Sequence, residues 1–180
     1  MPPERACVIE QPGLRLLEEP LRVYRIRASH KDRGEAAAVA QAWGVTLPAT
    51  ANSFSGDAAF SCAWVEPRAW LVLGGRELAL PDATLPLIVD LSDRYAAFRL
   101  AGTDAATLLA GGTGLELATL APGRCAYTLF AEEAIVFLQA LRAQDYRLVV
   151  EAPLAGFFGD WLRDAAPRVP CTAMDTGVEA

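Results

Sequence analysis

The chain has 180 residues, 53% of them hydrophobic and 21% charged, with four Trp and seven Phe. That is enough apolar material for one sizeable core or two small ones, and it excludes disorder of the whole chain. With 16 Lys and Arg against 22 Asp and Glu, the formal net charge is -6, and no run of basic residues offsets it locally, which disfavours a nucleic-acid partner. No apolar run approaches the ~20 residues that span a bilayer. The opening MPPERACVIEQPG has Pro and Glu where a secretion signal needs a basic start and an apolar stretch, so a cytoplasmic location is the expectation.

In chain order, residues 1–20 carry four prolines, with Leu14, Leu16 and Leu17 as an apolar cluster. This segment reads as an arm or short strand packed on something else. LRVYRIRA (21–28) alternates as a strand does, and RGEAAAVAQAW (33–43) is rich in strong helix formers and stops at Gly44. AAFSCAWV (58–65) and AWLVLG (69–74) are β-rich runs joined by EPR, with Pro67 placed for a turn, which predicts a hairpin. A linker interrupted by Gly and Pro covers 75–86.

The pattern then repeats. Strands LIVDL and YAAFRLA precede a helix over TDAATLLAG, with Thr103 as its N-cap, Asp104 in its first turn and Gly111–Gly112 ending it. The double glycine follows a helix, whereas a phosphate loop needs its glycines before one, so its plain reading is a helix stop. AYTLFA (126–131) and AIVFLQAL (134–141) form a second hairpin, YRLVVEA (146–152) adds a strand, and Pro153 opens the last helix. There Leu154, Phe157, Phe158, Trp161, Leu162 and Ala165 make a continuous apolar stripe, the mark of core packing or a subunit contact. From Pro167 onward the chain reads as a flexible tail.

The order strand–helix–hairpin, then strand–helix–hairpin–strand–helix, defines an α+β protein made of two ferredoxin-like split βαβ halves. The divisions are an N-terminal arm (1–20), a first half (21–86), a second half (87–166) and a C-terminal tail (167–180). A weak internal echo between SCAWVEPRAWLVL and AYTLFAEEAIVFL agrees with this.

Residue chemistry narrows the function further. Cys7, Cys62, Cys125 and Cys171 form no CxxC pair, and buried or idle thiols are the plain reading. His30, the single histidine, lies in the polar stretch ASHKDRG, a poor setting for a catalytic base. Two-histidine metal sites are impossible within this chain, and neither GxGxxG after a strand nor GxxxxGK[ST] occurs. No catalytic, cofactor-binding or metal-binding residue is assigned.

The stretch LIVDLSDRYAAFRLAGTDAATLLAGGTGLELATLAPGRCAYTLF, followed by YRLVVEAPLAGFFGDWL, resembles the gamma subunit of heterotetrameric sarcosine oxidase. The matching elements are Asp90 to Arg94 (with Ser92 and Asp93), Gly102 with Asp104 and Ala105, Pro122 with Gly123, Cys125 and Thr128, and Phe157 to Trp161. CAWVEPRAWLVLG is similar to that family's tryptophan-bearing hairpin, with Trp64, Pro67 and Trp70 in place. The likeness covers about residues 40–165. The chain departs from the family pattern at TGLEL, where Gly114 and Glu116 stand in place of Pro or Cys and of Asp.

A wider resemblance is to the aminomethyltransferase of the glycine cleavage system, which shares this fold and binds tetrahydrofolate. In those enzymes a Gly–Gly turn with an acidic pair contacts the folate. Here Glu132 and Glu133 stand in a shortened turn and the following strand ends at Glu151, so the folate apparatus looks dismantled.

The resemblance implies a non-catalytic gamma subunit of a flavoenzyme complex that oxidatively demethylates sarcosine or a related N-methyl amino acid. No cofactor is expected on this chain. FAD, FMN, NAD and tetrahydrofolate would sit on partner subunits, and the partners would be the alpha, beta and delta subunits. The alternatives are a free-standing tetrahydrofolate-binding protein and an assembly domain with an unrelated partner. The motif and interface candidates are Asp90, Ser92, Asp93, Arg94, Trp64, Trp70, Phe157 and Trp161. The first four are residue types that shape a turn, with Arg94 paired to one of the aspartates; the aromatic side chains are core in their plain reading.

Overall fold

The computed structural model describes residues 7–29, 33–80 and 87–169. Two antiparallel sheets lie face to face with helices on their outer surfaces. The five-stranded sheet contains β3 (Arg22–Arg27), β4 (Phe54–Gly56), β5 (Phe60–Glu66), β6 (Ala69–Gly74) and β7 (Leu87–Asp90), in the order β4-β5-β6-β3-β7. The six-stranded sheet contains β1 (Cys7–Gln11), β2 (Leu14–Glu18), β8 (Tyr95–Ala101), β9 (Cys125–Phe130), β10 (Ala134–Arg142) and β11 (Asp145–Glu151), in the order β1-β2-β8-β11-β10-β9. Helix α1 (Arg33–Ala42) covers the first sheet; α2 (Ala105–Ala110) and α3 (Ala155–Ala165) cover the second.

Each sheet is a split βαβ unit. Strand β3 runs into α1, and the next long strand, β5, lies two places away with β6 inserted between. Strand β8 runs into α2, and β10 lies two places away with β11 inserted between. The topology therefore equates β5–β6 with β10–β11. The sequence echo instead aligned β5–β6 with β9–β10, one strand out of step, because it tracked hairpin composition rather than pairing with the first strand.

The outer edges are exchanged between the halves. Residues 87–90, grouped by sequence with the second half, pair with β3 in the first sheet. Residues 7–18, read as an arm or short strand packed on something else, form the β1–β2 hairpin that extends the second sheet beside β8. Neither partner strand was legible, because strand order is set by long-range pairing, which local pattern does not encode. The end of the second half is anchored: Ala166 is buried and its carbonyl accepts from the Gln11 side chain at 3.1 Å. Residues 170–180, with Cys171 among them, and His30 lie outside the described residues.

Three apolar layers result. Leu16, Phe98, Leu100, Leu138, Leu148, Phe158 and Leu162 pack between the six-stranded sheet and α2–α3. Tyr24, Ile26, Ala36, Trp43, Trp70 and Val72 pack between the five-stranded sheet and α1. Between the sheets lie Val23, Leu71 and Leu73 from one and Ala97, Phe137 and Val149 from the other. AIVFLQAL reads as a continuous apolar run because β10 is covered on both faces along most of its length.

The second helix starts later than its sequence predicts. Ala105 is its first residue and Asp104 its N-cap, with no side-chain cap hydrogen bond. Gly102 at φ +127 and the Asp104 N–H are taken by the β1–β2 turn, whose Gly13 carbonyl accepts from Asp104 at 3.0 Å. Thr103 is thereby carried past the capping position. The stop at Gly111–Gly112 is as read, and Gly112 is obligatory for a packing reason: a Cβ there would lie 2.3 Å from the Phe130 ring.

Candidate interaction site

The motif Asp90–Arg94 forms the crossing from β7 to β8, a single 3-10 turn over Ser92–Arg94. The Asp90 carboxylate accepts the Ser92 backbone N–H at 2.9 Å and the Ser92 hydroxyl, and Ser92 Oγ in turn accepts the Val23 N–H at 3.1 Å. This chain of bonds ties the crossing to β3, so the turn-shaping reading describes Asp90 and Ser92 as they stand. Arg94 does not pair with either aspartate. Its guanidinium reaches the Glu151 carboxylate on β11 at 2.7 Å, because β8 leaves the turn beside β11 and carries Arg94 away from Asp90. Both members are exposed, so the pair positions the turn more than it stabilises the fold. Asp93 is exposed. Asp90→Ala is expected to cost about 0.5–1.5 kcal/mol through the lost turn hydrogen bonds, read as a small shift of the urea midpoint.

The aromatic candidates separate. Trp70 is buried beneath α1, and Trp64 opposite it is half-buried; the Arg33 guanidinium lies 4.8 Å from the Trp64 ring and 5.4 Å from that of Trp70. On α3, Phe158 is wholly buried between Phe98 and Phe130, Trp161 stands edge-on to Phe130 at 4.7 Å, and Phe157 is 39% exposed. The apolar stripe thus divides into a core line, Phe158 and Leu162, and a rim that faces outward at Phe157. Beside Trp161 an open concavity of about 520 Å3 is walled by Gly112, Thr113, Leu129 and Glu132. The Glu132 turn is of the I′ kind, with Ala131 at φ 48 and Glu132 at φ 60, a conformation that glycine or asparagine fills with less strain.

Sequence reasoning missed a polar cluster locked between the sheets. Arg147 on β11 is fully buried and forms a two-pronged pair with Glu19 at 2.8 and 2.9 Å. The Arg147 guanidinium also donates to Gln139 at 3.1 Å and to the Ala58 carbonyl, and Gln139 donates to Ser61 on the facing sheet at 3.2 Å. The signal was present: Gln139 and Arg147 are strongly polar residues set among apolar ones in the runs AIVFLQAL and YRLVVEA, and they are register partners. Every member is hydrogen-bonded, as a buried charge requires.

Cys62 and Cys125 are buried free thiols, each pushed up to about 12 by burial. Partial desolvation raises the Tyr127 hydroxyl as well, although that residue is 45% exposed. All three groups are neutral in the fold and have raised folded-state values. They therefore favour the fold fully below about pH 9, and that contribution is lost as pH rises through their folded values near 12. Stability in a urea titration is expected to hold to pH 9 and fall above it, and a thiol reagent at pH 8 should label Cys62 and Cys125 only after unfolding. The Cys7 side chain is outside what the structure describes.

Among the described residues no group of three or more His, Cys, Asp or Glu could hold a metal ion, and no helix is long and apolar enough to cross a membrane. What fold and surface define together is a two-sheet α+β sandwich carrying a motif that fastens the junction of its halves. The family model described as sarcosine oxidase, gamma subunit family, matches residues 27–168, and the chain belongs to that family. Among solved structures it is similar to a chain of the heterotetrameric sarcosine oxidase from Corynebacterium sp. U-96 in complex with pyrrole 2-carboxylate. The TM-score is 0.79 at 25% identity, over 92% of this chain and 89% of the other. No curated protein matches it.

Proposed function

We propose that the chain is the non-catalytic gamma subunit of a heterotetrameric sarcosine oxidase-type complex, acting by assembly rather than by chemistry of its own. The family match over residues 27–168 carries this reading, and the fold likeness to a heterotetrameric sarcosine oxidase over nine-tenths of both chains supports it. The alpha, beta and delta subunits are then its partners. FAD, FMN, NAD and tetrahydrofolate bind on those chains, and sarcosine or a related N-methyl amino acid is demethylated there. Two buried free thiols suit a reducing compartment such as the cytoplasm.

The test is to purify the chain alone and titrate it with flavins and tetrahydrofolate. No flavin absorbance after purification and no heat of folate binding are the expected results. Micromolar tetrahydrofolate affinity would overturn the reading in favour of a free-standing folate-binding protein. Within an assembled complex, Asp90→Ala is expected to leave turnover per complex unchanged; a large loss there would give the aspartate a chemical role.

A further inference from the structure

The face that each sheet turns toward the other is not covered along its whole length. On the six-stranded sheet the register sets this face out in rows. Cys125, Gln139 and Arg147 form a row that is buried, and it carries the polar cluster described above. In the next row Phe137 and Val149 are buried, but Tyr127 on β9 is 45% exposed. The last row is Leu129, Ile135, Glu151 and Tyr95, and there Leu129 and Ile135 are 50 and 55% exposed. Coverage by the second sheet therefore gives out toward the end of the β9–β10 hairpin. It leaves a ledge of one aromatic and two large aliphatic side chains that continues the inter-sheet core into solvent.

Exposed singly, such residues need no explanation. Register neighbours on a single face form a patch, and patches of this kind mark interaction surfaces. The borders of the ledge are charged. Glu132 and Glu133 stand exposed at the hairpin tip between Leu129 and Ile135, and neither takes part in a salt bridge among the described residues. On the other side Glu151, the neighbour of Ile135 across the sheet, holds Arg94 of the family motif.

Two occupants are disfavoured by these features. A second copy of this chain would bring Glu132 and Glu133 against themselves, on chains that each carry a net charge of -6, and like charges at a shared rim cost affinity. An added strand along β9 at this end meets an occupied edge: Thr113 bridges to Phe130, and the Ala131 N–H donates to the Gly112 carbonyl at 2.7 Å. A partner must therefore approach through side chains, with apolar groups over Leu129 and Ile135 and Lys or Arg opposite the hairpin tip.

We infer that the ledge Tyr127–Leu129–Ile135 is the docking surface for a larger subunit of the complex, which lays an apolar segment with a basic rim across it. The inference rests on the subunit reading above. Arg94 and Glu151 fix the ledge's inner border, which gives the family motif a role at the interface as well as in the turn.

The test co-expresses the chain with the larger subunits and compares hydroxyl-radical footprints of the free chain and the purified complex. Protection of Tyr127, Leu129 and Ile135 on assembly is expected. Ile135→Glu should weaken association at least about tenfold, while Ile135→Val should assemble as the parent does. Each variant's melting curve, measured alone, confirms that it folds. If the unsubstituted chain fails to enter a complex, the subunit reading falls and this inference with it. If it enters while the ledge stays as reactive as in the free chain, or Ile135→Glu assembles normally, only the docking assignment is overturned. The footprint needs no variant, so a misfolded Ile135→Glu leaves the decision intact.

Discussion

Arg147→Ala is expected to destabilise the chain by about 3–5 kcal/mol. The substitution leaves the Glu19 carboxylate buried between the sheets without the guanidinium that holds it by two bonds. It also removes the donor to Gln139 and to the Ala58 carbonyl, so a second and a third buried acceptor lose a partner. The cost is one of broken pairing rather than of lost packing. The double substitution Glu19→Leu with Arg147→Met, which removes both charges and keeps the volume, should therefore recover most of the loss. Urea unfolding of the two singles and the double gives the coupling directly. Additive losses would show that Glu19 and Arg147 do not act as a pair, and that the sheets are joined by apolar contact alone.

Phe158→Ala is expected to cost about 3–5 kcal/mol for a different reason. Phe158 is fully buried under the six-stranded sheet, with its ring 5.4 Å from that of Phe98 and 4.9 Å from that of Phe130. Deleting it opens a cavity that these two rings cannot close, since Phe130 is itself held by Gly112 and Trp161. A fall in Tm of about 6–20 °C should follow. Phe157→Ala, one position earlier but outward-facing, should move it by far less. Equal losses at the two positions would contradict the division of the stripe into core and rim.

The sequence displayed the local units of the fold clearly. LRVYRIRA, AWLVLG and YAAFRLA alternate or run apolar as strands must, and Gly111–Gly112 stops a helix where it was expected to. What it concealed was partnership across distance. Nothing in Leu14–Glu18 announces β8 as its neighbour, and nothing in LIVD announces β3, because pairing is decided by which edges the two cores leave open. The same limit governed the charged residues. Arg94 was read against its sequence neighbours Asp90 and Asp93, yet its partner is Glu151, 57 positions away. Arg147 and Gln139 could have been singled out from their apolar surroundings alone, but Glu19 could not.

The ledge was legible only after register was known. Tyr127, Leu129 and Ile135 look like ordinary strand residues in AYTLFA and AIVFLQAL, and their exposure comes from where the facing sheet stops. The sequence instead drew attention to Trp70 and Phe157, which share an aromatic character but differ in burial. Aromatic content alone does not separate a core from an interface, because both bury large side chains against others.

Native mass spectrometry of the chain co-expressed with the larger sarcosine oxidase subunits decides whether it is a structural subunit. A stable hetero-oligomer containing one copy of this chain is expected, with all flavin released from the other subunits on dissociation and none from this one. A chain that remains monomeric beside fully assembled partners, or that carries flavin itself, would contradict that role.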